Sequence, residues 1–437
     1  MSKLFKNAVF LFGSGAILDW QGPSTSELTK IVLESGFKVV DDSKTVTQAI
    51  YDQLTDNGFK DSDINFETII NVIEELLVIY SDFDSHSNLP SLLRCFVTPN
   101  ITDDIMNFSL PDGRKHSFTL QIPKGVKYDF SHYALHNETP EQFYLQHLLT
   151  DILSNINARI SKYSYHTEGH SEINMDNEVS KNFVTWMKGI NHTHNLRLYT
   201  LNYDRVFKVL LESNGIKIFE GFNCGEFVGY YDKLRANVCE ILNDSSSNIH
   251  YNLHGSAYWE VLDLDKELLP NPEIVLTSLP NLHVDCPPAS FQVEKGKTLL
   301  VTNIITGYQK AQKGMITPFK QMQSAFDRDC CSCDTLFVVG YSFGDEHINE
   351  SIKTAIRHNP DIKIQIVDPN FINKNMDEQL ALRFFPFKDK STFNYKRIKD
   401  NGNSFFDGDF IAYHQYYHEF LEVRAKFPWG NPNPDIF

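Results

Sequence analysis

The stretch Val338-Val339-Gly340-Tyr341-Ser342-Phe343-Gly344-Asp345-Glu346-His347-Ile348-Asn349 decides the fold. The apolar run from Thr335 to Val339 stops at Gly340, and a helix-like pattern begins near Gly344 and continues towards Ile356. A strand that breaks on a small residue and feeds a helix leaves backbone N–H groups free at the helix start, where the helix dipole favours an anion. Turns of this kind occur in many α/β proteins that hold no ligand, so this stretch alone fixes an α/β unit and not a site.

Working outward, residues 8–12 read as a first buried parallel strand, ended by Gly13 and Gly15. Pro23-Ser24-Thr25-Ser26-Glu27-Leu28 is a helix entry, with Ser24 or Thr25 as cap and an acidic first turn. Apolar residues at Phe66, Ile69, Ile70, Ile73, Leu76, Leu77 and Tyr80 make a helical stripe. Thr139-Pro140-Glu141 opens another helix through Leu145, Leu148, Leu149, Ile152 and Ile156. Residues 83–136 between them are weakly periodic and read as loops, with a hairpin around Pro111-Asp112-Gly113. The strand pattern resumes at Arg197 to Thr200, followed by short apolar runs at 216–219, 249–253, 274–276, 299–301, 335–339 and 362–367. Helical stretches lie around 204–213 and 344–356. Strands alternating with helices imply a doubly wound, mostly parallel, Rossmann-like sheet of the α/β class, carrying a largely helical insertion at about residues 60–190. Residues 371–437 form a C-terminal extension of unassigned role.

A chain of 437 residues is long enough for a large core and for one α/β domain with a sizeable insertion. The formal net charge of −16 argues against direct nucleic-acid binding, which needs basic stripes. No run of about 18 apolar residues occurs, and Met1-Ser2-Lys3-Leu4-Phe5-Lys6 lacks a signal-peptide core, so the expectation is a cytoplasmic chain without a membrane partner. Cys330, Cys331 and Cys333 crowd together, but Cys95, Cys224, Cys239 and Cys286 supply no second pair. The cysteines therefore read as buried or free thiols, and no metal site is expected.

Three further segments follow apolar runs: Gly13-Ser14-Gly15-Ala16, Thr200-Leu201-Asn202-Tyr203-Asp204 and His254-Gly255-Ser256. Small residues let a backbone approach a pyrophosphate, although Gly-x-Gly also serves a plain tight turn. Asn202 sits where ligands bind in parallel sheets, outside a strand's carboxyl end, yet it or Asp204 can equally cap the next helix. His254 has the side chain best suited to proton transfer near neutral pH, although a lone histidine is more often structural. The shared placement of all these segments at strand ends points to a dinucleotide pocket.

In this order the segments resemble the sirtuin-like family, in particular its bacterial NAD-hydrolysing branch. The match runs from Gly13, Gly15 and Ala16 through Thr200, Asn202 and Asp204 to His254 and Gly255. It then reaches Gly340 to Asn349 and a last strand ending at Asp368, covering about residues 8–370. The resemblance implies one NAD-binding catalytic domain over residues 1–370, with NAD as substrate and Asn202 and His254 carrying the reaction. It also implies that Gly13, Ser14, Gly15, Ala16, Gly340 and Ser342 line the dinucleotide, that Thr200 and Asp204 belong to the site, and that Asp368 faces the adenine ribose. The deacylase branch has a four-cysteine zinc module and a Pro-Asp-Phe-Arg type segment. This chain has no such quartet and carries Gly22-Pro23-Ser24-Thr25 instead. The resemblance thus implies cleavage of the nicotinamide–ribose bond in antiphage defence, switched on by a partner encoded nearby, by self-association or by a ligand. The alternatives are an NAD-dependent protein deacylase and a module that senses the nucleotide without turning it over.

Overall fold

The computed structural model describes residues 6–36, 38, 44–80, 140–164, 173–227, 230–263, 272–284, 290–294, 297–306, 310–359, 361–369, 396–397, 403–406, 410–413 and 416–429. Among the described residues fourteen strands run in chain order. They are β1 (Lys6–Phe12), β2 (His194–Thr200), β3 (Phe222–Phe227), β4 (Tyr230–Ala236), β5 (Ile249–Asn252), β6 (Trp259–Asp263) and β7 (Pro272–Thr277), then β8 (Ser290–Glu294), β9 (Lys297–Leu300), β10 (Thr335–Val339), β11 (Lys363–Val367), β12 (Lys396–Arg397), β13 (Asn403–Phe406) and β14 (Phe410–Tyr413). The main sheet has the order β12-β13-β14-β11-β10-β1-β2-β5. From β14 to β5 every pairing is parallel, and β13, antiparallel to both β12 and β14, is the one reversed strand of the sheet as described. The fold is therefore the expected α/β one, a mostly parallel sheet with helices.

Central position explains the apolar runs. Ala8 to Phe12 of β1 and Leu336 to Val339 of β10 are all buried, as strands covered on both faces must be. Phe10 stacks on Phe337 with ring centroids 4.9 Å apart, and Trp186 meets both rings edge-on. Such aromatic pairs add about 0.5–1.5 kcal/mol beyond the area they bury.

Three of the short apolar runs behave differently from the expectation. Residues 216–219 form no strand and contribute only a bridge from Phe219 to Ile249. Residues 274–276 lie in β7, inside a four-stranded sheet of order β3-β4-β7-β6 whose pairings are all antiparallel. Residues 299–301 overlap β9, half of a two-stranded antiparallel sheet. An apolar run of four residues marks a buried strand without specifying which sheet it joins. The proposed hairpin around Pro111-Asp112-Gly113 lies outside the described residues.

Between β1 and β2 come the helices Thr25–Glu34, Val46–Asp56, Phe66–Tyr80, Pro140–Ser164 and Glu178–Asn191. Ser24 caps the first of them, its hydroxyl accepting from Glu27 N–H at 3.2 Å. The chain after residue 370, opaque in the sequence, rejoins the core. β14 pairs with β11, and the helix Tyr417–Lys426 carries Arg424, whose buried guanidinium donates to Gln365 and Tyr413. The same helix docks on the turn after β1, where His418 N–H donates to the Asp19 carboxylate at 3.0 Å.

Candidate active site

Five strands of the main sheet end along one line, and their backbone ladders continue past the strand ends. Leu201 N–H bonds Phe12 O, Leu253 N–H bonds Thr200 O, Gly13 N–H bonds Val339 O and Gly340 N–H bonds Val367 O, each at 2.9 Å. Over this edge lies a cleft of about 300 Å³. Its lining comes from the turn after β1 (Gly13, Ser14), the turn after β2 (Asn202, Tyr203), the end of β5 (His254) and the turn after β10 (Tyr341, Ser342, Asp345). The helical insertion adds Phe66, Glu67 and Tyr163, and Lys310 closes the set. A pocket at the carboxyl edge of a parallel sheet is where such folds hold ligands.

Glycine at 13, 15 and 340 is dictated by the contact between two turns. A Cβ on Gly13 would lie 2.4 Å from Gly340 O, and one on Gly340 would lie 2.3 Å from Ala16 N. Gly340 also has φ +59°, a conformation that side chains disfavour. This contact engages the donors of the first turn. Gly13 N–H bonds Val339 O, Gly15 N–H bonds Gly340 O, and Ala16 N–H bonds Gly13 O. Gly15, Ala16 and Gly340 thus stand behind the wall that Gly13 and Ser14 present to the cleft. At the second turn the helix Glu346–His358 begins with Asp345 at its cap, without a side-chain capping hydrogen bond, and with Glu346 in its first turn, so two acidic residues sit at its positive end.

Asn202 is fixed from three sides. Its N–H bonds the Thr200 hydroxyl at 3.0 Å, its Nδ2 donates to Gly13 O at 3.0 Å, and its carbonyl accepts from Asn252 Nδ2 at 2.9 Å. With one Nδ2–H given to a carbonyl, Oδ1 and the second Nδ2–H remain for a ligand. Thr200 is buried and acts here through Asn202. Asp204 is 1% exposed and does not line the cleft. Its Oδ1 accepts from Val206 N–H at 2.9 Å and its Oδ2 from Tyr163 Oη at 3.1 Å, an Asx turn that starts the next helix. Burial pushes its carboxyl up to about 6, against the hydrogen bonds from Val206 and Tyr163. Asp368 follows β11 one strand beyond β10, its N–H bonded to Tyr413 O at 3.1 Å, and it lies outside the cleft.

His254 is 3% exposed, and its Nε2 is buried without a hydrogen-bond partner among the described residues. Gly255, at φ +87°, turns the chain so tightly that a Cβ there would lie 2.2 Å from Asn303 O. Burial drives the imidazole down to about 3, opposed by Asp345 and reinforced by Lys310 and His347. His254 is therefore neutral at pH 7, with burial disfavouring the protonated ring. The His347 ring stands 5.6 Å away, centroid to centroid.

Of three charged groups in the cleft, Lys310 and Glu67 carried no sequence signal of a site. Lys310 Nζ sits 2.8 Å from Glu67 Oε1 and 2.7 Å from Asp345 Oδ1. Burial raises Glu67 against the pull of Lys310; it also opposes the charge of Lys310, which the two carboxylates hold above its usual range. Asp345, although burial works the other way, is held below the usual carboxylate range by His254 and Lys310. The sequence shows Asp345 only as part of its motif and Glu67 only as a polar position on a helix. No group of three or more potential metal ligands occurs among the described residues, and none of their helices is long and apolar enough to cross a membrane.

Residues 197–381 match the model of the SIR2-like domain, a span that contains Asn202, His254 and the Gly340 turn but not the Gly13 turn or the helical insertion. No curated protein matches the chain. Among solved structures, a mutant Sir2 homologue in complex with ADP-ribose shares 10% identity at a TM-score of 0.37, covering 98% of this chain and 93% of that one. A Sir2 homologue in complex with NAD shares 10% identity at a TM-score of 0.35, covering 98% and 90%. Likeness at that level carries no argument about activity. The motif order and the domain match agree: residues 197–381, under half of the chain, are similar to the SIR2-like domain.

Proposed function

We propose that this chain is an NAD glycohydrolase, cleaving NAD and water to nicotinamide, ADP-ribose and a proton. The observation that carries the proposal is a neutral, buried His254 with an unpartnered Nε2, set beside a rigidly held Asn202 in the strand-end cleft. The C1′–N bond to nicotinamide breaks with its electron pair leaving on the ring nitrogen. A water oxygen bonds C1′, and its proton passes to His254. Asn202 Oδ1 orients that water or a ribose hydroxyl, which a positioned group does at a gain of orders of magnitude. The Gly13–Gly340 contact shapes the wall along which the dinucleotide lies, with Ser14 and Ser342 offering hydroxyls. Asp368, at a strand end on the same edge, is assigned to the adenosine ribose.

The reading extends to a cytoplasmic effector of antiphage defence, because unrestrained NAD hydrolysis would exhaust its own cell. The lone chain is accordingly expected to turn over slowly, and a partner protein, self-association or a small ligand to raise the rate by lifting the competent fraction. Cysteine spacing supports a reaction that runs without zinc. Nicotinamide release from purified protein, assayed with and without an acetylated peptide, tests the reading. Release that needs the peptide would assign a deacylase. NAD binding without release, under every activating condition, would assign a sensor.

A further inference from the structure

The described lining of the cleft offers a pyrophosphate the hydroxyls of Ser14 and Ser342 and a single cation. The N–H groups of Gly13, Gly15 and Ala16 are engaged by backbone carbonyls, and the helix after the Gly340 turn begins with Asp345 and Glu346. Among the described lining residues Lys310 is the one cation, and it is clamped between Glu67 and Asp345 at 2.8 and 2.7 Å. With both carboxylates ionised, the three groups sum to one negative charge. A dianionic pyrophosphate entering this cleft therefore meets repulsion unless the lysine turns towards it.

We propose that Lys310 is the phosphate-binding cation of the cleft, and that Glu67 and Asp345 hold it in reserve, so that the pyrophosphate must compete with two carboxylates for one ammonium. This rests on the NAD reading and adds to it a positioning residue and a device that sets affinity. The three groups come from separate parts of the chain: Glu67 from the helix Phe66–Tyr80 of the insertion, Asp345 from the turn after β10, and Lys310 from the short helix Lys310–Lys313. Movement of the insertion helix relative to the sheet would change the clamp directly. Lys313 is clamped in the same way one turn on, its Nζ 2.5 Å from Glu74 on the same insertion helix and 3.1 Å from Thr306 O. Lys313 does not line the cleft, so it secures the helix while Lys310 faces the ligand.

The test is calorimetric titration of the full chain with ADP-ribose, with uncharged adenosine as control. Glu67→Gln removes one competing charge and should tighten ADP-ribose binding about tenfold, leaving adenosine unchanged, since a hydrogen bond to a charged group is worth about 1.5–3 kcal/mol. Lys310→Met should weaken ADP-ribose about tenfold or more, again without moving adenosine. The lysine variant strands two carboxylates and can lose stability. The glutamine variant removes only one charge of the clamp and keeps the proposal open to refutation if the lysine variant fails to fold. Wild-type binding of ADP-ribose with no change in Glu67→Gln, or a parallel change for adenosine, overturns the role of Lys310 and leaves the NAD reading standing. Absence of ADP-ribose binding in every variant overturns the NAD reading and this proposal with it.

Discussion

Two buried polar clusters draw on β2, and they are built on opposite terms. At its midpoint, Arg197 is fully buried, with Nε on Asp329 at 2.6 Å, Nη1 on Asp244 at 2.8 Å and on Ser247 O, and Nη2 on Asp244 O. Asp329 also accepts from Tyr199 Oη at 2.6 Å and from Arg328 Nε at 2.9 Å. All three guanidinium nitrogens and both carboxylate oxygens are partnered. Just past the strand's carboxyl end, Asn202 and His254 line a cleft; the His254 Nε2 has no partner among the described residues, and the one cation of the described lining is shared between two carboxylates. A saturated cluster locks the sheet to the helix Phe319–Ser332, whereas an unsaturated one retains polar capacity for something that arrives later. Stability and chemistry should therefore separate cleanly along a single strand.

The largest expected effects lie at the unsaturated end. His254→Ala and Asn202→Ala should each lower nicotinamide release by about 10²–10⁴-fold under activating conditions. His254→Ala should cost less stability than Arg197→Met, because it strands no buried ion-pair partner. Near wild-type turnover from either folded variant would remove that residue from the mechanism.

Arg197→Met should do the reverse. It leaves Asp329 and Asp244 buried without their cation, and breaking a buried pair from one side costs about 3–5 kcal/mol. Denaturant unfolding should show that loss. Any fraction that folds, isolated by size exclusion, should keep its turnover per folded molecule. A stability change below about 1 kcal/mol would mean that the pair contributes little net energy.

Histidine burial makes the comparison sensitive to pH. His250 in β5 is fully buried with neither ring nitrogen partnered among the described residues, and burial lowers it to about 3, against Glu220. The folded value lies below the unfolded one, so its contribution to stability is intact above about 6.5 and declines as pH falls towards 3. Between pH 7 and 5 the wild type should lose about 2 kcal/mol relative to His250→Phe, which does not titrate there. Asp204 has the opposite sign, since its raised carboxyl favours the fold at low pH, and only the difference between the two proteins isolates the histidine. Parallel stability curves for the two would refute this.

The two clusters differ equally in how legible they are. Apolar runs at 8–12 and 335–339 locate the central strands because burial on both faces demands them, and Gly340 marks where one ends. Asn202 and His254 are legible because strand ends face the ligand edge of a parallel sheet. Lys310 and Glu67 are not, since their pairing joins segments 243 positions apart and neither has a local pattern that distinguishes it from a solvated charge. The run at 274–276 shows the same limit for strands: its composition fits a parallel core, but its hydrogen bonds go to β4 and β6. The glycines of the first turn are legible as small residues, while the reason for them, the Gly340 backbone opposite, is a tertiary fact.

The smallest expected effect is the most discriminating for a single residue. Asp204 belongs by sequence to the same motif as Asn202, yet its side chain is turned away from the cleft, bonding Val206 N–H and Tyr163 Oη. Asp204→Asn keeps the shape, with Oδ1 able to accept from Val206 N–H and Nδ2 able to donate to Tyr163 Oη once that hydroxyl rotates. It also removes a buried carboxyl whose pKa is pushed up to about 6, so at pH 7 the lost charge offsets the weaker hydrogen bonds. Stability should shift by less than about 1 kcal/mol, and nicotinamide release should stay within about threefold of wild type, as expected for an interaction that keeps its partners. Proportional loss of release and NAD affinity by a hundredfold, at unchanged stability, would instead place the Asp204 carboxylate in contact with the substrate. It would also show that the cleft opens further towards Tyr163 than the Asx turn allows in this state.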